Sequence, residues 1–434
     1  MGVGAVLGGF VTMMALLLAS LPVAAIMVLL GVIGGVLLYG WPLLNAMGPV
    51  VWGVLNENLL TAIPLFVLLG ELLLRSGVAD RMYGALALWL GRLPGGLLHT
   101  NIGCCALFAA TSGSSVATAA TVGTVALPAL DARGYDPARA LGSLAAGGTL
   151  GILIPPSVNL LIYGSLANES IGRLFIAGLI PGLLLTACFM AWIALDALLR
   201  EGRVRDEGAA PLAERVAALR FLAPPAAIFA VVMGSIYLGI ATPTESAALG
   251  VVAALGFVWR EGRLNWGLLD AAFRQTARTC GMILLIITAA FMLNVTLALG
   301  GVAQAMTAWV ASLGLTATGL LLALIVFYVA LGMFMDVLSM QVLTIPVALP
   351  IVTAVGIDPI WFGIFIVLMC ELGMITPPVG MNLYVVQGVR GDGGPFRDVV
   401  RGAVPYVVIM LLFTLLIIAF PQIVLWLPDG MYGA

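Results

Sequence analysis

Two short segments combine residue types that could bind a small cation and an organic anion inside an otherwise apolar chain. "TLGILIPPSVN" at 149–159 and "LGMITPPVGMNLY" at 372–384 each set glycines before a proline pair and oxygen-bearing side chains around it. Proline removes a backbone donor and clashes with the preceding turn, so a helix must stop or unwind there. The sequence places that unwinding at Gly151 to Pro156 and Gly373 to Pro378. Unpaired carbonyl oxygens suit sodium, and the free amides at the start of the next half-helix suit a carboxylate.

Two Gly-containing turns, "ATSGSS" at 110–115 and "LGMFMD" at 331–336, supply partners for these breaks. A first sodium site is expected from Ser112, Ser115, Gly148, Gly151 and Pro155, chiefly through carbonyl and hydroxyl oxygens, and a second from Gly332, Met335, Gly373, Thr376 and Val379. No arginine lies in this core, so an anionic substrate would be held by Ser114, Ser115, Ser157, Asn159, Thr376 and Asn382, with Asp336 beside them. Asp336 and Glu371 are acidic residues in apolar segments, which are costly there and could neutralise an ion or carry a proton. The structural alternatives are that hydroxyls bond back to their own helix and that Gly332, Gly373 and Gly380 serve close helix packing.

The elements that must position these groups are membrane helices. The 434 residues are 62% hydrophobic and 9% charged, against about 25% charge in soluble domains, which excludes an ordinary soluble fold and implies an all-α polytopic membrane protein. All 18 basic residues are Arg and none precedes Arg75, so no cleaved signal peptide is expected and the first apolar run reads as a retained span. Cys104, Cys105, Cys188, Cys280 and Cys370 lie in apolar runs without metal-ligand spacing and read as core residues. On a ruler of about 20 apolar residues, spans fall near 4–20, 22–39, 59–74, 174–199, 221–240, 245–259, 280–299 and 404–426. Residues 95–167 and 316–388 are apolar yet interrupted by Gly, Ser, Pro and Asp, and the polar stretch from Arg200 to Arg220 separates two halves.

The two irregular regions are copies. At an offset of 222 residues, "VALP" meets "VALP", "GYDP" meets "GIDP" and "LGILIPP" meets "LGMITPP", with 12 identities in the 32 positions from Val125 to Pro156. Duplicated halves with paired broken helices mark a secondary transporter. Arg133 and Arg139 flank the first "GYDP", whereas the second loop has no arginine, so the positive-inside rule predicts inverted repeats. Threaded this way, 17 of the 18 arginines face the cytoplasm, Arg203 and Arg205 included, and Arg173 alone faces outside. That count requires the segments before Pro128 and Pro350 to be re-entrant hairpins. The expected organisation is scaffold helices and an arm at 1–92, a first hairpin and broken helix at 93–167, scaffold and second arm at 168–315, a second hairpin and broken helix at 316–388, and a final scaffold span at 389–434.

Four motifs in this order, "SGSSVA", "GTLGILIPPS", "GIATPTESAA" and "LGMITPPVGMNLY", make the chain resemble the large membrane subunit of tripartite ATP-independent periplasmic (TRAP) transporters, in the ion transporter superfamily. The resemblance spans nearly the whole chain. It implies an elevator-type permease in the bacterial inner membrane, a symporter that couples import to two or more Na+ ions. It also implies a separate small four-span membrane subunit and a periplasmic binding protein that delivers a small organic acid such as a dicarboxylate or sialic acid. Membrane lipid is the remaining partner, and neither nucleic acid binding nor enzymatic activity is implied.

Other readings are distinguishable. Glu57 and Glu71 fit scaffold structure or the small-subunit contact, and Thr242, Pro243 and Glu245 have capping-box spacing at the start of a span. A stand-alone sodium or proton symporter would share the hairpins and breaks but need no binding protein. An intramembrane serine protease would use "GSS" as nucleophile site with His99 as base, but a straight helix holds these groups about 20 Å apart.

Overall fold

A computed structural model describes residues 3–201 and 210–432. Arg203 and Arg205, read above as cytoplasmic, lie outside the described residues. The first half runs α1 (Val3–Leu18), α2 (Val23–Tyr39), α3 (Pro42–Leu55), α4 (Ala62–Arg75), α5 (Val78–Leu90), α6 (Leu97–Ser112), α7 (Ser115–Ala132), α8 (Pro137–Leu153), α9 (Val158–Ala167) and α10 (Ile171–Glu201). A short α11 (Leu212–Ala218) leads into the second half: α12 (Ala223–Tyr237), α13 (Pro243–Arg260), α14 (Trp266–Leu299), α15 (Val302–Ser312) and α16 (Ala317–Gly332). It continues with α17 (Val337–Ala354), α18 (Pro359–Met374), α19 (Met381–Val389), α20 (Phe396–Ala419) and α21 (Gln422–Tyr432). Five described helices are long and apolar enough to cross a membrane, or nine if each bent pair is one span. Large apolar side chains such as Leu37, Trp41, Leu199 and Trp266 stand exposed, as lipid contact requires.

The duplication extends back to the first helix. Moved by 222 residues, Ser115–Ala132 falls on Val337–Ala354 end to end, α8 falls on α18 to within a residue, and α1 and α2 fall on α12 and α13 to within three. The repeated "GYDP" and "GIDP" are explained by helix starts. Gly134 and Gly356 turn the chain at φ 65° and 84°, a region glycine enters without strain. Asp136 and Asp358 then cap α8 and α18 by accepting the Arg139 and Trp361 amides at 2.9 Å, with proline at the first helical position. The expected capping box is also present: Thr242 Oγ1 accepts the Glu245 amide at 3.3 Å and Glu245 accepts the Thr242 amide at 2.8 Å.

Four boundaries differ from the sequence reading. Helix α3 was not anticipated, because Asn45, Gly48, Pro49 and Gly53 dilute its apolar run. Helix α14 has 34 residues, not 20, because Asp270, Arg274 and Arg278 make its first third amphipathic. The last span divides into α20 and α21 at Phe420 and Pro421. The helices also persist past Gly151 and Gly373, so the breaks fall at Ile154–Ser157 and Ile375–Gly380, each containing a cis proline pair.

Packing gathers the helices into two groups, which also touch directly where α4 and α12 meet α6 and α14 meets α17. In one, α2 lies on α14 and α4 on α13 and α14: a Cβ on Gly31 would meet the Leu293 backbone at 3.0 Å, and Thr296 Oγ1 donates to the Gly31 carbonyl at 2.7 Å. In the other, α6, α7, α10, α18 and α20 surround α8. There α8 and α20 touch backbone to backbone, since a Cβ on Gly142 would fall 2.1 Å from the Gly402 carbonyl oxygen. Helix α5 bridges the groups. Its Arg81 pairs with Glu261, its Tyr83 donates to Asn101 of α6 at 2.9 Å, and its Trp89 lies under the Arg215 guanidinium of α11 at 4.4 Å.

Candidate functional site

The first tip forms because Gly113 ends α6 in a left-handed conformation, φ 59°, and Ser114 starts α7 by accepting the Ala117 amide at 3.4 Å. This tip sits against the first break without room for side chains. A Cβ on Gly113 would lie 3.1 Å from the Pro156 carbonyl, and one on Gly151 would lie 2.9 Å from the Ser114 carbonyl and Ser115 Cα. A Cβ on Gly148 would lie 3.2 Å from the Ser115 carbonyl and 3.0 Å from Asn382 Nδ2. Of the first expected cation set, Ser115, Gly148 and Gly151 are thus in mutual contact. Ser112 and Pro155 each adjoin a member of the Gly113–Pro156 contact, and the Ser112 hydroxyl lies 2.8 Å from Thr118 Oγ1.

The second tip repeats the pairing in sparser form. Gly332 and Gly373 meet directly: a Cβ on either would fall 2.6 Å from the other's Cα. Thr376 lies in the break, buried, donating to the Leu372 carbonyl at 2.6 Å, and its own carbonyl faces Gly380. Met335 is buried at the tip, whereas the Val379 side chain is exposed.

The residues expected to hold the anion divide by what already occupies them. Ser114, Ser157 and Asp336 are helix caps: Ser157 accepts the Leu160 amide at 3.3 Å, and Asp336 accepts the Ser339 amide at 3.2 Å as well as its hydroxyl. Asn159 and Asn382 are buried with Oδ1 unpartnered among the described residues, although Asn382 Nδ2 donates to the Ala145 carbonyl at 3.4 Å. Gln341 of α17, fully buried with both amide atoms unpartnered, was missed by the sequence reading. A lone amide in the apolar run "VLSMQVLTIP" was the available signal.

Glu371 joins the two halves. It is fully buried, and its Oε1 accepts the Ser115 hydroxyl at 2.5 Å across 256 residues of sequence. Its Oε2 has no partner among the described residues. Charged pairs elsewhere lie at helix ends and loops, such as Arg139 with Asp196 at 2.9 Å and Arg390 with Asp398 at 3.0 Å. The Arg390 guanidinium beside Asp392 holds that carboxyl below its usual range. His99 is spent on the Pro94 carbonyl at 2.7 Å, and Ser114 and Ser115 are engaged elsewhere, so the protease dyad does not form.

A family model described as "Tripartite ATP-independent periplasmic transporter, DctM component" matches residues 10–423. The chain belongs to this transporter family. The TRAP relatives include the C4-dicarboxylate TRAP transporter large permease protein DctM of Pseudomonas aeruginosa, 36% identical over 85% of this chain and 86% of the relative. The sialic acid TRAP transporter large permease protein SiaM of Vibrio cholerae is 33% identical over 88% of each chain. Among solved structures, the Alcanivorax borkumensis YdaH transporter aligns with a TM-score of 0.61 at 16% identity, covering 89% of this chain and 88% of that one. This likeness concerns the fold. The TRAP large permease is accordingly a multi-pass, all-helical membrane protein.

Proposed function

We propose that this chain imports an organic acid bearing a carboxylate across the bacterial inner membrane, driven by two or more Na+ ions. The observation that carries the reading is the seating of the first tip on its break, at Gly113 and Pro156, and of the second tip on the helix end that leads into the other break, at Gly332 and Gly373. Backbone freed at membrane depth is tolerated where it lines a cavity or binds ions, and glycine contacts at both places leave carbonyls as the available ligands. The two clusters named above are the sodium sites. The side-chain oxygens of Asn159 and Asn382 and the amide of Gln341, without partners among the described residues, with the half-helix starts of α9 and α19, form the site for the anion. An Asn or Gln amide can turn its N–H2 toward a carboxylate, so the absence of an arginine is no obstacle.

The packing supports an elevator in which α6–α10 and α16–α20 move as one body against α1–α4 and α12–α14. In this reading α10 and α20 belong to the moving part, whereas the sequence alone assigned them to the scaffold. The tips are re-entrant hairpins and the halves are inverted. A separate four-span membrane subunit completes the frame, and a periplasmic binding protein delivers the substrate. The relatives named for C4-dicarboxylates and sialic acid support a carboxylate as the substrate class.

Reconstitution tests this reading. Uptake of an organic acid into vesicles should appear only with small subunit, loaded binding protein and an inward sodium gradient together. Robust uptake by the lone chain would favour a stand-alone symporter, and uptake on a proton gradient without sodium would remove the sodium assignment.

A further inference from the structure

The hydrogen bond between Ser115 and Glu371 has no counterpart in the other half. Under the 222-residue repeat Ser115 corresponds to Val337 and Glu371 to Thr149, and Thr149 donates to the Ala146 carbonyl in its own helix at 2.6 Å. The duplicated architecture therefore carries this contact once, at one of its two breaks.

Three facts bear on what that carboxylate does. The oxygens that meet where the first tip seats on the break, from Ser114, Ser115 and Pro156, are all neutral carbonyls and hydroxyls. A cation bound there loses water and gains no counter-charge from these ligands, which is costly in a low-dielectric interior. Glu371 is fully buried, bonded only through Oε1, and no cationic side chain pairs with it among the described residues. The Ser115 hydroxyl donates its proton to Glu371, which directs its lone pairs away from the carboxylate. They become available to an ion near the break, where the Ser115 carbonyl lies against Gly148 and the Ser114 carbonyl against Gly151.

We propose that Glu371 is the positioning and charge-compensating residue of the first sodium site: it fixes the Ser115 hydroxyl as a ligand and supplies the negative charge that the site's neutral oxygens lack. The inference rests on the sodium reading above. Because Glu371 precedes Gly373 by two residues in α18, filling the first site also fixes the helix that seats the second tip. Glu371 thus ties the two sites together, and binding of one ion prepares the other.

The test is sodium-dependent thermal unfolding of the purified chain in detergent, with sodium chloride titrated against choline chloride. The wild-type chain should be stabilised by sodium along a steep curve. Glu371→Gln, which keeps shape and a hydrogen-bond acceptor but removes the charge, should raise the sodium midpoint roughly tenfold or more and flatten the curve. Ser115→Ala should act in the same direction. The double variant should be less impaired than the two effects multiplied, as for residues acting through one contact. Glu371→Asp retains the charge but withdraws it from Ser115, so it should give an intermediate midpoint and decides the matter if Glu371→Gln does not fold. A wild-type midpoint in Glu371→Gln or Glu371→Asp, alongside a shifted one in Ser115→Ala, overturns the role of Glu371 alone. A wild-type chain indifferent to sodium overturns the sodium reading and this inference with it.

Discussion

Gly332 and Gly373 touch backbone to backbone, with space for no carbon between them. A methyl at Gly373 would fall 2.6 Å from the Gly332 Cα, well inside van der Waals contact, and neither helix can yield without unseating the tip. Gly373→Ala should therefore destabilise the folded chain by about 1–3 kcal/mol and abolish substrate uptake. A thermal midpoint and uptake rate equal to wild type would show that this contact is not needed.

Inversion of the halves has a direct test at Ala132 and Ala354, which close α7 and α17 at equivalent positions and are both exposed. Cysteines placed there in a cysteine-free background should react with a membrane-impermeant maleimide from opposite faces of the cell membrane. Reaction of both from one face would end the inverted-repeat reading.

The joint between α8 and α20 should be as intolerant as the tips. A Cβ on Gly402 would lie 1.8 Å from the Ala138 carbonyl oxygen, whereas one on Gly256 in α13 would meet nothing within 4 Å. Gly402→Ala should lower stability by about 1–3 kcal/mol, and Gly256→Ala should be neutral or stabilising by up to about 1 kcal/mol. Denaturation midpoints of the pair in one detergent give the comparison.

Asp136 and Asp358 perform one task at equivalent helix starts. Replacing either with Ala should cost about 1 kcal/mol of stability, and equal losses within a few tenths would match their equal 2.9 Å bonds. A loss confined to one of them would mean that the two loops are not energetically equivalent.

The loop after α19 should loosen in acid. Asp392 accepts from the Arg390 guanidinium and the Gly394 amide, and these bonds depress its carboxyl. A group depressed on folding stabilises the fold above its unfolded value, about 3.9 for Asp, and that contribution disappears as pH falls through the folded value. Amide exchange across residues 390–398 should thus be unaffected between pH 5 and 8 after correction for intrinsic rates, and rise below about pH 4. Protection independent of pH throughout would remove the clamp.

Much of the architecture was legible because proline and glycine act locally. The paired "PP" motifs located both breaks to within a few residues, and "ATSGSS" and "LGMFMD" located both turns. What stayed hidden depends on neighbours. Gly142 and Gly402 lie far apart in sequence, and nothing in either helix announces that they touch. The partner of Glu371 was equally invisible, since a hydrogen bond spanning 256 positions leaves no trace in local pattern. Helix α3 was lost to a different cause, polar and small residues that tertiary packing accommodates but a hydropathy ruler penalises.

The single helix α14 stands opposite the interrupted pair α3 and α4, which occupy the same place in the first half. Its 34 residues form a rod about 51 Å long, against a hydrocarbon layer of about 30 Å. One copy of the ancestral strut is continuous and stiff; the other carries a joint at residues 56–61. A helix interrupted in one half and continuous in the other makes the two halves, alike in order and length, mechanically unequal.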